Sequence, residues 1–225
     1  ATPRPTPDPA QARLFSGLGS VCNFRVGPGK DETDVPVYSF NVAMAQAVFD
    51  ASGTIVQCRF DVYEVATPNY DGASMPHFSG WPGQTGLNVT DHDTGKVTGQ
   101  AVQTEQSAQT ELAAWRTKRE RGDDYGMNPT ADWHTQMDAY QQWMIGQKVS
   151  DLRAWFDKYT SPRNGRPVKP ASENEEDVKI LTGLSDDEKQ MLADVTSMAT
   201  MSLSDGHGQL LEALEKAYEN RVPVE

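Results

Sequence analysis

Cysteine is scarce in this chain. There are two among 225 residues, with no CxxC pair and no Cys/His spacing that suits zinc. That excludes a structural zinc site and a disulfide scaffold. Cys22 follows a glycine-rich opening and Cys58 lies in an apolar stretch. One bond between them would suit an oxidising compartment; otherwise Cys58 is a small buried hydrophobe and Cys22 a free thiol. No apolar run approaches the roughly 18 residues of a membrane span, which predicts that the chain crosses no bilayer. Positive charge is also short, with 20 Lys and Arg against 32 Asp and Glu and a formal net charge of −12. Bulk attraction to phosphate backbones is lost, and with it nucleic acid as a partner. The sequence has no GxSxG, HExxH, P-loop, GxGxxG or EF-hand spacing, so the common hydrolase, nucleotide and calcium signatures are absent.

Material for a core is ample, with five Trp, seven Tyr and seven Phe, and global disorder is excluded. Residues 1–12 open with proline alternating with small or polar residues, an extended tether unable to join a helix or central strand. It reads either as the remnant of a cleaved signal or anchor segment or as a trimmed start. Residues 37–63 carry the clearest local pattern. Tyr38, Phe40, Val42, Met44 and Val48 alternate with small residues; after Asp50-Ala51-Ser52-Gly53, Val56, Cys58, Phe60 and Val62 alternate with polar ones. That predicts an antiparallel hairpin with one buried face. Residues 67–99 are a series of turn signatures, a long loop folded onto the protein through Tyr70, Phe78 and Trp81. Helices are expected over 103–121, over 131–145 with Trp133, Met137, Tyr140 and Met144 on one face, and over 151–159. Two short acidic-capped helices follow, at 172–181 and 185–192. Residues 194–203 read as a strand. A closing amphipathic helix starts at Ser204 or Asp205 and carries Leu210, Leu211, Leu214, Ala217 and Tyr218.

The segment Asp194-Val195-Thr196-Ser197-Met198-Ala199-Thr200-Met201-Ser202 resembles the motif D-x-x-(S/T)-G-A-T-x-(S/T) of the FMN-binding domain family. That family includes Rnf/Nqr-type flavin-carrying subunits and bacterial surface lipoproteins. Of the five defined positions from Asp194 to Thr200, four match; Met198 stands where the motif has glycine. The resemblance implies FMN, esterified through its phosphate to the Thr200 hydroxyl by a flavin transferase. It implies that Asp194, Ser197, Ala199 and Ser202 flank the site. It extends to the Asp50–Gly53 turn, to Gly122-Asp123-Asp124-Tyr125-Gly126-Met127, to the helix from Trp133 and to Gly146-Gln147-Lys148-Val149. Glycine in such a motif supplies positive φ or a close backbone approach. Methionine does neither, although its thioether can pack against a flavin ring.

Read without the resemblance, the hydroxyls of Thr196, Ser197, Thr200, Ser202 and Ser204 precede a helix start suited to phosphate, with Gly206 and Gly208 permitting close approach. Asp205 opposes an anion there. His207 either contacts the cofactor or is an exposed polar side chain, and Tyr125 either faces a flavin or staples the core. Asp91-His92-Asp93 reads as a turn rather than a metal site, and the Trp133, Trp143 and Trp155 stripe as core.

The expected fold is α+β: an antiparallel sheet built on the 37–63 hairpin and a C-terminal strand, helices packed on one face, and one domain over 13–225 with a loop insertion at 67–99. The expected function is an extracytoplasmic, lipoprotein-like flavoprotein domain. It would carry electrons from a membrane donor to an external acceptor, as a carrier rather than a catalyst. The alternative is a flavin-free binding module on the same scaffold, with the 67–99 loop as its working surface.

Overall fold

The computed structural model describes residues 13–72, 74–125, 131–204 and 209–224. Its strands are β1 (Leu14–Lys30), β2 (Pro36–Asp50), β3 (Ile55–Ala66), β4 (Thr85–Thr90), β5 (Val97–Val102) and β6 (Val222–Pro223). Its helices are α1 (Glu105–Ala113), α2 (Lys118–Arg121), α3 (Trp133–Met144), α4 (Val149–Tyr159), α5 (Glu175–Thr182), α6 (Asp186–Met198) and α7 (Leu210–Glu219), with a 3-10 turn over Gly122–Tyr125. The fold is α+β: a four-stranded sheet in the order β3-β2-β1-β6 and a two-stranded sheet β4-β5. The chain divides into two units. One holds the described residues up to Val21, Ala43–Phe60 and everything from Trp133 onward. The other holds Cys22–Val42 and Asp61–Asp132.

The predicted hairpin forms. Asp50 Oδ1 accepts from the Ser52 and Thr54 amides and from Ser52 Oγ, and Gly53 takes φ of 82° to close the turn. The fully buried face of β2, however, is the small-residue one: Val37, Ser39, Asn41, Ala43, Ala45, Ala47 and Phe49. Small side chains let packed elements approach the strand closely, so the bulky set Phe40, Val42, Met44 and Val48 is left half-buried on the other face. The exposed edge of β3 is covered in the first unit: Ile55 N donates to Gln147 O, Gly146 N to Ile55 O and Phe60 N to Gln141 Oε1.

The first unit closes on a backbone contact. A Cβ on Gly17 would lie 1.8 Å from Ala217 O, and one on Gly19 would lie 2.0 Å from Ala213 O. Helix α7 therefore rests directly on the main chain of β1, presenting Leu210, Leu211, Leu214 and Ala217 inward. The chain then turns back and β6 pairs antiparallel with β1, Phe15 opposite Pro223. Trp133, Met137, Tyr140 and Met144 of α3 are all buried on one face, as their spacing predicts. Trp143, Trp155 and Phe156 form an edge-to-face cluster.

The second unit is tied by polar groups. Asp31 receives the Thr33 and Val35 amides on one carboxylate oxygen and the side-chain amides of Asn69 and Asn88 on the other. Burial pushes its carboxyl up, but these bonds outweigh it and hold it well below the usual carboxylate range. Glu64, 4% exposed, pairs with Lys118 at 3.0 Å and with Arg25 at 3.2 Å.

Four sequence expectations are corrected. Residues 194–203 are not a strand. Helix α6 runs through Met198, started by a Ser185/Glu188 capping box. Thr196 Oγ1 and Ser197 Oγ bond back to Leu192 O and Asp194 O, which accommodates both residues within the helix. The C-terminal strand of the sheet is β6 instead. The closing helix starts at Leu210, not near residue 205. Residues 103–121 form two helices, because Thr117 caps a new one in a box with Glu120. The 67–99 stretch is not all loop: β4 and β5 pair across the Asp91–Lys96 turn, where Asp91 Oδ1 accepts from Thr94 N and Oγ1.

Gly19→Ala should lower stability by about 2–3 kcal/mol, the cost of overpacking a site that cannot relax. Gly183→Ala, where a Cβ meets nothing closer than Ile180 O at 3.6 Å, should stay within about 0.5 kcal/mol of wild type. Urea midpoints at constant m-value check both.

Candidate functional site

Helix α6 ends at Met198, and the chain leaves it extended, with Ala199 at φ −150° and ψ 137°. Ala199 is buried at 2% exposure and Met201 and Leu203 point inward with it, which fixes the segment on the first unit. Two residues of α3 hold its backbone. Tyr140 donates its hydroxyl to Met201 O at 2.9 Å and, more weakly, to Ala199 O at 3.4 Å. Gln136 Oε1 accepts from Thr200 N at 2.9 Å. Burial raises the Tyr140 phenol far above its ordinary value, against a smaller opposing pull from Arg166, so it stays a donor.

Thr200 itself is half-buried, and its Oγ1 makes a long contact of 3.4 Å to Gln136 Oε1. The backbone on either side of it is fixed while its hydroxyl is weakly engaged. A contact of that length is a weak hydrogen bond, so the hydroxyl is held less firmly than the backbone that carries it. Around it, Asp194 and Ser197 are exposed at the end of α6, and Ser202 is buried with Oγ accepting from Ser204 N. Met198 is 45% exposed, so the residue standing in place of glycine projects outward rather than filling the packed layer. Gly165, at φ 64°, abuts the same segment; a Cβ there would sit 2.5 Å from Ser202 Oγ.

The structure thus gathers Asp194, Ser197, Met198, Ala199, Thr200 and Ser202 at one helix end. Tyr125 belongs to the second unit, where its ring lies under Lys118 Nζ at 4.9 Å and Arg121 at 4.4 Å and its hydroxyl meets Glu64 Oε2 at 3.3 Å. His207, with Asp205, Gly206, Gly208, Gly126, Met127 and the 1–12 tether, lies outside the described residues. Sequence reasoning missed Gln136. Its signal was a polar residue on the apolar stripe of α3, three positions after Trp133 and four before Tyr140. An attached FMN would fit these residues in one respect: Thr200 is half-buried rather than sealed, with its backbone held and its hydroxyl weakly engaged.

Both cysteines are free. Cys22 is exposed and Cys58 buried, its thiol pushed up to about 12 by burial. In the second unit, Phe24, Tyr38, Phe40 and Phe78 line an apolar groove of about 200 Å³. His77 stacks on His92 with ring centroids 5.1 Å apart, its Nε2 unpartnered.

No protein-family model matches the chain, and no solved structure matches it. Among curated proteins it is similar to a chlorophenol reductase of Desulfitobacterium hafniense, 33% identical over 224 residues. The alignment takes in 96% of this chain and 61% of that protein, so the chain spans about three fifths of its relative's length.

His77 sets an acid limit. Burial, helped by the charges of His92 and Arg121 and opposed by Glu111, lowers its imidazole to about 4. Between pH 6.5 and 4 the unfolded chain binds a proton that the folded chain refuses, so stability is full above pH 6.5 and falls as the pH drops through that window. His77→Gln should flatten a loss of about 3 kcal/mol over the interval in a pH series of urea melts.

Proposed function

We propose that this chain is a flavin-carrying electron-transfer domain, with FMN esterified through its phosphate to Thr200 Oγ1. The observation that carries the reading is the state of Thr200. It is a half-buried hydroxyl with one long hydrogen bond, on backbone pinned by Gln136 and Tyr140, at the threonine of a motif-like segment. Bound there, FMN would supply reversible hydride and electron chemistry. Gln136 and Tyr140 would keep the attachment point fixed, and Ala199, Met201 and Leu203 would keep the segment seated. An ester also meets the charge problem: a chain of net charge −12 repels a free phosphate, but a covalent bond does not depend on equilibrium attraction.

The relative's name supports a reductive setting, since a reductase needs a supply of electrons. By the same reading the chain works outside the cytoplasm, receives its flavin from a transferase, and passes electrons from a membrane donor to an external acceptor. Met198 favours a second reading, the flavin-free binding module. Its working surface is then the apolar groove of the second unit, to which Phe78 of the 67–99 stretch contributes a wall.

Co-expression with a flavin transferase separates the two. Intact mass should show one FMN added with loss of water, with flavin absorbance, and Thr200→Ala should abolish both while leaving the melting temperature within a few degrees. Met198→Gly should raise the flavinylated fraction. A colourless protein at its sequence mass supports the binding module.

A further inference from the structure

We propose that the hollow between the Ser161–Lys169 turn and the start of α5 binds a small phosphorylated sugar or polyol, its phosphate on a cationic rim and its hydroxyls on a buried acidic floor. The hollow has a volume of about 300 Å³, at the lower end of the range for small-molecule sites. Arg163, Arg166 and Lys169 form the rim and Ser161, Asn164 and Asp177 the interior. None of the residues flanking Thr200 lines it, so the inference goes beyond the flavin reading and holds whether or not Thr200 is modified.

The floor is what asks for a ligand. Ser161 is 3% and Asp177 5% exposed. One oxygen of Asp177 accepts from Ser172 Oγ at 2.6 Å, but Asp177 Oδ1 and Ser161 Oγ complete no hydrogen bond. The two groups are close enough for the serine to help hold the carboxyl below its ordinary value against burial, yet the bond between them does not close. Buried oxygens left this way are costly, by about 1–3 kcal/mol each, and an O–H donor from a ligand removes that cost. The rim supplies the complement. Among the described residues, none of its three cations enters an ion pair, although the chain is acidic overall. Three rim cations against one floor carboxylate leave a surplus of about two positive charges. A phosphate monoester, at about −1.5 to −2, neutralises that surplus. An amino acid, with one charge of each sign, would not. A sugar or polyol phosphate brings both the dianion for the rim and the hydroxyl donors for the floor.

Isothermal titration of the full chain with glucose 6-phosphate, glycerol 3-phosphate, glucose and inorganic phosphate tests this. At least one of the two organic phosphates should bind about tenfold more tightly than inorganic phosphate, and glucose should give no heat. Arg166→Gln and Lys169→Gln, both at exposed positions, should each weaken that binding by about tenfold. Ser161→Ala should bring the organic phosphate down to the level of inorganic phosphate, and Thr200→Ala should change nothing. The proposal is overturned if neither organic phosphate binds, if inorganic phosphate binds as tightly as they do, or if the rim variants bind like wild type.

Discussion

The first unit depends on a contact between main chains. Helix α7 lies so close to β1 at Gly17 and Gly19 that no side chain fits between them. From that approach follow the burial of the apolar face of α7, the return of the chain as β6, and the anchoring of the segment just before the helix, where Leu211 N donates to Leu203 O. Thr200 sits three residues upstream of that anchor. A bidentate pair from Arg153 to Glu215, both contacts 2.6 Å, fixes α4 against the outer side of α7.

The second unit uses polar order where the first uses apolar packing. Asp31 gathers donors from its own turn and from Asn69 and Asn88, drawing a stretch rich in Gly, Pro and Asn onto the strands. Glu64 neutralises Lys118 inside the unit. Such a pair adds little net stability, but removing one member leaves a buried charge at a cost of about 3–5 kcal/mol.

An acidic chain meets phosphate under unfavourable average charge. The two sites argued above answer this differently. At Thr200 the proposed ester would make equilibrium affinity irrelevant, leaving the protein only to present one hydroxyl on a held backbone. At the 161–177 hollow, three rim cations outnumber the one floor carboxylate and reverse the sign of the charge locally. Both sites lie in the first unit. The likeness to a chlorophenol reductase takes in nearly the whole chain but only about three fifths of that protein.

Periodic features were legible in the sequence because they are local. The Asp50–Gly53 turn, the stripe on α3 and the face of α7 each follow from spacing and turn chemistry within about a dozen residues. The composition of the 194–202 segment, with its hydroxyls and Thr200, was legible too, but its conformation was not. Alternating Val195, Ala199, Met201 and Leu203 suit a strand, whereas the capping box at Ser185 and the side-chain bonds of Thr196 and Ser197 extend the helix to Met198. The sequence by itself determined which stretches had a buried face and where the chain turned. Only the tertiary structure decided which parity of β2 was buried, that Gly17 and Gly19 exist to admit a helix, and that Gln136 pins Thr200. Each of these is settled by a partner far away in the chain, and long-range contact leaves no trace in local periodicity.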